Sequence, residues 1–145
     1  MFSIVPEEYL ELIEEEIEPL LERAAGMTNG FHSIYDLIGF IYGKSHQLWI
    51  VADDDSKRIL AILMTTIRES LKKRILDLQF AASVEDSGSL LKDFREVMND
   101  ELDNFAVINN CDAIQIEGRR GWKKVMEPVG YKEVAVVLEK EVTHG

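Results

Sequence analysis

Four basic side chains, Arg119, Arg120, Lys123 and Lys124, crowd together in a chain whose formal net charge is −11. They follow the apolar run "CDAIQIE" and open the short helical pattern "RGWKKVMEP". Two guanidinium groups at a helix start oppose the helix dipole, which favours anions at that end. A bound phosphate or carboxylate would offset the cost through charge-assisted hydrogen bonds. Pairing with nearby acids, Glu117 or Glu127 among them, would offset it too. A second basic group, Lys72, Lys73 and Arg74, lies between two apolar runs. Trp122 stands at helical spacing from Val125 and Met126, which makes it a core residue, the alternative being the wall of a cleft.

Other reactive types are sparse. Cys111 is the only cysteine, so neither an intrachain disulfide nor a cysteine zinc cluster is expected. It sits just before an apolar run and reads as a buried, inert thiol. His32, His46 and His144 show no metal-ligand spacing; surface or capping roles are expected, and no metal. The acidic stretch "PEEYLELIEEEIE" is a solvated helix face or, alternatively, a dock for a basic protein partner. The net negative charge disfavours nucleic acid and anionic membranes. No apolar run approaches the ~18 residues of a membrane span, and the N-terminus lacks the basic start of a signal peptide. A cytoplasmic protein is expected.

The chain has 145 residues, 46% of them apolar and 30% charged, which suits one globular domain over 1–145. From Glu7 onward, apolar residues at three-to-four spacing predict a helix, interrupted by Pro19, where a kink or two pieces are expected. "HSIYDLIGFIYGK" predicts a second helix, with Ser33 as cap and Asp36 as the capping-box acid. "QLWIVADDD", "RILAILMTTIRE" and "KKRILDLQFAA" read as strands, the last two an antiparallel pair through "SLKK". Alternation puts Leu76, Leu78, Phe80 and Ala82 on one apolar face. A long helix is predicted from Ser89 to Asn109. A strand "CDAIQIE", a short helix and a closing strand "EVAVVLEKEV" follow, placed like a parallel β–α–β unit. The sum is a mixed α/β sandwich.

This order of elements resembles the GNAT family of acyl-CoA N-acyltransferases. The segment "CDAIQIEGRRGWKKVMEPVGYKEVAVVLEKEV" is similar to small phage and prophage GNAT-like proteins. The resemblance implies a GNAT-like α/β fold, a central mixed sheet flanked by helices. It also implies that the fourth strand, "RILDLQFAA", and the fifth, "DAIQIE", part after Phe80 and Ile116 so that acetyl-CoA lies in the gap. Phe80, Ala81 and Ala82 would line that gap, and Ser87, Gly88 and Ser89 would hold the pyrophosphate on backbone donors at a helix start. The loop departs from the family pattern: "SVEDSGSLL" has one glycine and no basic residue, and Glu85 and Asp86 repel a pyrophosphate. Those acids and serines also suit a plain helix cap. In the family, a tyrosine of the short helix acts as general acid toward the departing thiolate. That position falls on Met126, which has no proton to give, and the Gly-Phe turn falls on Gly130 and Tyr131. Tyr131 substitutes as acid only if its hydroxyl points to the cleft; otherwise its ring packs and the hydroxyl reaches water. Glu117 is the candidate base, followed by Asp77 and Gln79. Arg119, Arg120 and Trp122 are the candidate substrate or anion contacts.

Two functions follow. One is an acetyl-CoA-dependent N-acetyltransferase with an amine substrate. The other is a non-catalytic virion-associated or assembly protein on the same scaffold, binding a protein partner through its sheet edge, acidic helix or basic cluster. Two copies pairing through their sheet edges would form a homodimer. If phage-encoded, the protein would work in the host cytoplasm or the virion.

Overall fold

A computed structural model describes residues 1–84, 90–118 and 121–144. Strand β1 (Phe2–Ile4) precedes a short 3-10 turn (Glu7–Tyr9), helix α1 (Leu10–Gly26) and helix α2 (Ile34–Tyr42). Strands β2 (Gln47–Ala52), β3 (Ile59–Glu69) and β4 (Arg74–Ser83) follow, then α3 (Leu90–Ile108), β5 (Ala113–Ile116) and α4 (Gly121–Met126). The strands form one sheet in the order β1-β2-β3-β4-β5. The first three pairings are antiparallel and β4–β5 is parallel.

Helices cover both faces. Ile17, Leu20, Leu21 and Leu37 of α1 and α2 pack on Leu48, Ile62, Met64 and Phe80. Met98, Leu102 and Ala106 of α3 pack on the other face, against Trp49, Leu63, Leu76 and Leu78. Burying such side chains contributes roughly 1.5–3 kcal/mol each, so two helical layers clamp the three long strands. Trp49 centres the second layer. Its ring stacks on Phe2 at 5.2 Å and meets Phe105 edge-on at 5.3 Å. Its Nε1 donates to Thr65 Oγ1, which donates in turn to Gln47 Oε1.

Several expectations hold. Ser33 Oγ accepts from Asp36 N, and Asp36 Oδ2 accepts from Ser33 N, a complete capping box. Strands β3 and β4 are an antiparallel hairpin through Ser70–Lys73. Others are corrected. The strand β1 was not expected from three residues alone. Helix α1 is one piece through Pro19 rather than two, because tertiary burial of Ile17, Leu20 and Leu21 outweighs one missing donor. Val97 and Ile108, at helical spacing from the buried residues of α3, are exposed.

The single apolar face expected for β4 does not exist. Opposite Met64 and Thr65 stand Phe80 and Leu78, so Gln79 is an extra residue, a β-bulge. Leu76 and Leu78 therefore enter the α3 layer, whereas Phe80 and Ala82 enter the α1–α2 layer. The parallel β–α–β unit is β4–α3–β5, not one ending in "EVAVVLEKEV". Residues 132–144 form no helix or strand.

Candidate active site

The parallel pair β4–β5 is short. Its register runs from Ile75↔Ala113 to Leu78↔Ile116, and its last bond is from Glu117 N to Leu78 O at 3.3 Å. Strand β4 continues to Ser83 while β5 has ended, so the two part directly after Leu78, two residues earlier than expected. Backbone direction follows from alternation. Arg74 and Leu78 turn their carbonyls to β5, accepting from Asp112 and Glu117, while Val84 donates to Leu60 O on β3. Counting back from Val84, Phe80 and Ala82 face β3, and Ala81 turns its N–H and C=O into the gap. The bulge at Gln79 thus stands at the apex of a wedge with an exposed main-chain donor on one wall.

A polar network crosses the sheet at this apex. Asp77 on β4 is 3% exposed. Its Oδ2 accepts from Gln79 Nε2 at 3.1 Å and pairs with Arg68 Nε of β3 at 3.4 Å. Arg68 Nη2 reaches Gln115 Oε1 of β5 at 2.7 Å. Gln79 Oε1 lies 2.8 Å from His46 Nε2, and His46 Nδ1 lies 2.9 Å from Ser45 Oγ. The protons can be assigned. A carboxylate only accepts, so Gln79 gives its amide nitrogen to Asp77 and its oxygen to His46. His46 Nε2 must then donate, and in the neutral ring Nδ1 accepts from Ser45 Oγ, whose one proton also has Phe40 O within reach at 3.2 Å. The imidazole stacks on Phe40 at 4.7 Å and tilts against Phe80 at 5.8 Å. A ring held by two hydrogen bonds and two aromatic faces is preorganised to take a proton at Nδ1.

The residues singled out from sequence fall in different places. Asp77 and Gln79 are in the network, and Phe80, Ala81 and Ala82 lie on the β4 side of the wedge. Glu117 is exposed at the end of β5, on the opposite lip. Trp122 is half-buried in the α3 layer, its ring against Gly118, where an added Cβ would stand 2.8 Å from Trp122 Cδ1. Ser87, Gly88, Ser89, Glu85, Asp86, Arg119 and Arg120 lie outside the described residues. His46 was missed as a site residue: 33 positions separate it from Gln79, and no local spacing signals the pair.

Met126 is 1% exposed in the α3 layer. Tyr131 packs in the same layer, after a turn that Gly130 closes at φ +100°, a backbone region that favours glycine. Its hydroxyl is buried rather than reaching water, and among the described residues it has no hydrogen-bond partner. Burial, with Asp103 adding to it, pushes the phenol well above its ordinary value of about 10. The unfolded chain ionises Tyr131 near that value while the folded one does not. Stability should therefore fall as pH rises above about 10. Tyr131→Phe removes an unsatisfied buried hydroxyl and should raise stability by about 1 kcal/mol, or roughly 2–4 °C in Tm. It should also flatten the alkaline decline. A loss of stability in thermal melts would mean the hydroxyl has a partner.

Among the described residues no helix is long and apolar enough to cross a membrane, and no group of three metal-ligating side chains converges. No family model and no curated protein matches the sequence. Solved structures do match, over nearly the whole chain. A probable acetyltransferase aligns with a TM-score of 0.71 at 15% identity, over 100% of this chain and 98% of its own. Glucosamine-6-phosphate N-acetyltransferase from Arabidopsis thaliana aligns at 0.65 and 15% identity, over 99% of each chain. A transcriptional regulator from Bacillus halodurans C-125 aligns at 0.68 and 14% identity, over 98% of this chain and 99% of its own. The chain has the GNAT acetyltransferase fold, a mixed five-stranded sheet flanked by helices.

Proposed function

We propose that the protein is an acetyl-CoA-dependent N-acetyltransferase acting on an amine. One observation carries the reading: the wedge after Leu78, which leaves the Ala81 amide facing a gap beside a buried proton-accepting network. A main-chain donor fixed by the β3 ladder is preorganised for a developing oxyanion, the arrangement that stabilises acyl transfer. Acetyl-CoA, when bound, supplies the activated acetyl group. The chain's own residues do the rest. Asp77 holds Gln79, Gln79 holds His46, and His46 Nδ1 takes the amine proton directly or through the Ser45 hydroxyl. Arg68 neutralises Asp77 and ties the network to Gln115 on β5. Glu117 stands at the mouth as the alternative base. The Arabidopsis neighbour, a glucosamine-6-phosphate N-acetyltransferase, supports amine acetylation as the reaction type.

Titration calorimetry with acetyl-CoA tests this. Micromolar binding with a clear heat is expected. Absence of binding at millimolar concentration would overturn it and leave the second reading, a non-catalytic interaction protein of phage type. That alternative draws on the buried methionine at position 126, where related enzymes place an acidic hydroxyl, and on the transcriptional regulator sharing the fold.

A further inference from the structure

The chain leaves α2 through a sharp turn that displays a serine. Lys44 has φ +63°, a left-handed conformation that glycine favours, and its ammonium pairs with Glu7 Oε2 at 3.3 Å. Ser45 follows, exposed, with its backbone held on both sides. Its N–H and that of His46 both donate to Phe40 O, at 3.1 and 3.2 Å, and its carbonyl accepts from Thr66 Oγ1 at 2.6 Å. These bonds decide where the serine proton goes. Phe40 O lies 3.2 Å from Ser45 Oγ, but its two lone pairs already serve two main-chain donors. His46 Nδ1, 2.9 Å away, is the acceptor left. Four groups therefore stand in line: Ser45 Oγ, His46, Gln79 and Asp77, at successive separations of 2.9, 2.8 and 3.1 Å. An exposed hydroxyl on a fixed backbone, a base in contact with it and a third group that orients the base are the parts of an activated nucleophile. Each hydrogen bond polarises the next, so the Asp77 carboxylate acts on the imidazole through the Gln79 amide.

We infer that Ser45 is a nucleophile and that short activated esters acylate it, a reaction that needs no coenzyme and does not rest on the acetyl-CoA reading. Ser45 Oγ attacks the ester carbonyl carbon while its proton passes to His46 Nδ1. The bond from that carbon to the alcohol oxygen breaks, His46 returns the proton to the departing alcohol, and O-acyl-Ser45 remains. Water, giving its proton to the same nitrogen, then attacks the acyl carbon, releases the carboxylic acid and restores the hydroxyl. The N–H groups of Ser45 and His46 face Phe40 O, so neither serves a developing oxyanion. A good leaving group must compensate. Aryl esters supply one, and the stacked rings of Phe40 and His46 offer an aromatic surface beside the hydroxyl. The serine ester has only an alkoxide to expel, so its hydrolysis is the slow step.

Treating the full chain with 4-nitrophenyl acetate, with no coenzyme present, tests this. A burst of about one 4-nitrophenol per chain is expected, followed by slow turnover, the kinetic sign of an accumulating acyl-enzyme. Peptide mass spectrometry should place the acetyl group on Ser45. Ser45→Ala should abolish the burst, and His46→Ala should slow it at least about 100-fold although the serine is still there. Diisopropyl fluorophosphate, which reacts with activated serines by losing fluoride, should modify Ser45 in the native chain and leave it free in the His46→Ala variant. Absence of a burst, or acetyl groups found only on lysines and the N-terminus, would overturn the inference. So would Ser45 labelling that proceeds at an unchanged rate in His46→Ala, because the hydroxyl would then be reacting without its base.

Discussion

His46→Ala should lower the rate of acetyl transfer by about 10²- to 10⁴-fold, the usual contribution of a positioned general base. Steady-state assays with acetyl-CoA and an amine panel would measure it, with kcat falling more than KM changes. The imidazole is half-buried and its partners Ser45 and Gln79 can turn to water. Stability should therefore drop by no more than about 1 kcal/mol. Asp77→Asn is the companion test. It reverses the hydrogen-bond direction at Gln79, because an amide can present a donor where the carboxylate only accepts, and so disturbs the tautomer of His46 without touching the ring. Glu117→Gln should leave the rate within about threefold, since its side chain is exposed and outside the network. If Glu117→Gln abolishes transfer and His46→Ala does not, the base is Glu117 and the network is structural.

Trp49→Ala should cost about 3–5 kcal/mol, the range for truncating a buried aromatic side chain. Trp49 is 2% exposed and touches rings on β1 and α3, so its loss opens the α3 layer at the centre and frees both neighbours. The Thr65 hydroxyl also loses a donor. A Tm lowered by roughly 10–20 °C is expected in differential scanning calorimetry. Trp49→Phe keeps most of the ring contact and should cost less than half as much. A melting point lowered by under about 3 °C for the alanine variant would refute the central role of this side chain.

What could be read from sequence was local. The second helix announced itself because Ser33 and Asp36 satisfy each other's backbone within one turn. The β3–β4 hairpin was legible because a short polar link separates two strand-like runs. Long-range effects stayed hidden. β1 is three residues long and exists only through its pairing with β2. The bulge at Gln79 left no periodic mark because the sheet is apolar on both faces, so "LDLQFAA" reads equally well as an unbroken strand. "EVAVVLEKEV" has every local property of a strand, yet a strand also needs an edge beside it, which alternation cannot supply. Asp77 and Gln79 could be named from their face of β4. His46 could not, since it reaches them only when the fold brings the start of β2 beside the bulge.

The bulge also ties two properties of the molecule to one residue. With Gln79 present, only the bulge lets Leu78 enter one helical layer and Phe80 the other. If the strand were flattened with Gln79 kept in the ladder, everything beyond it would shift by one pleat. Phe80 would leave the helical layer it now fills, the small Ala81 would take its place, and the main-chain groups that now look outward would turn in toward β3. Removing Gln79 would instead leave Leu78 and Phe80 opposite Thr65 and Met64 and preserve both layers, while the link from Asp77 to His46 would be lost. The extra residue is therefore spare to the packing and needed by the polar network.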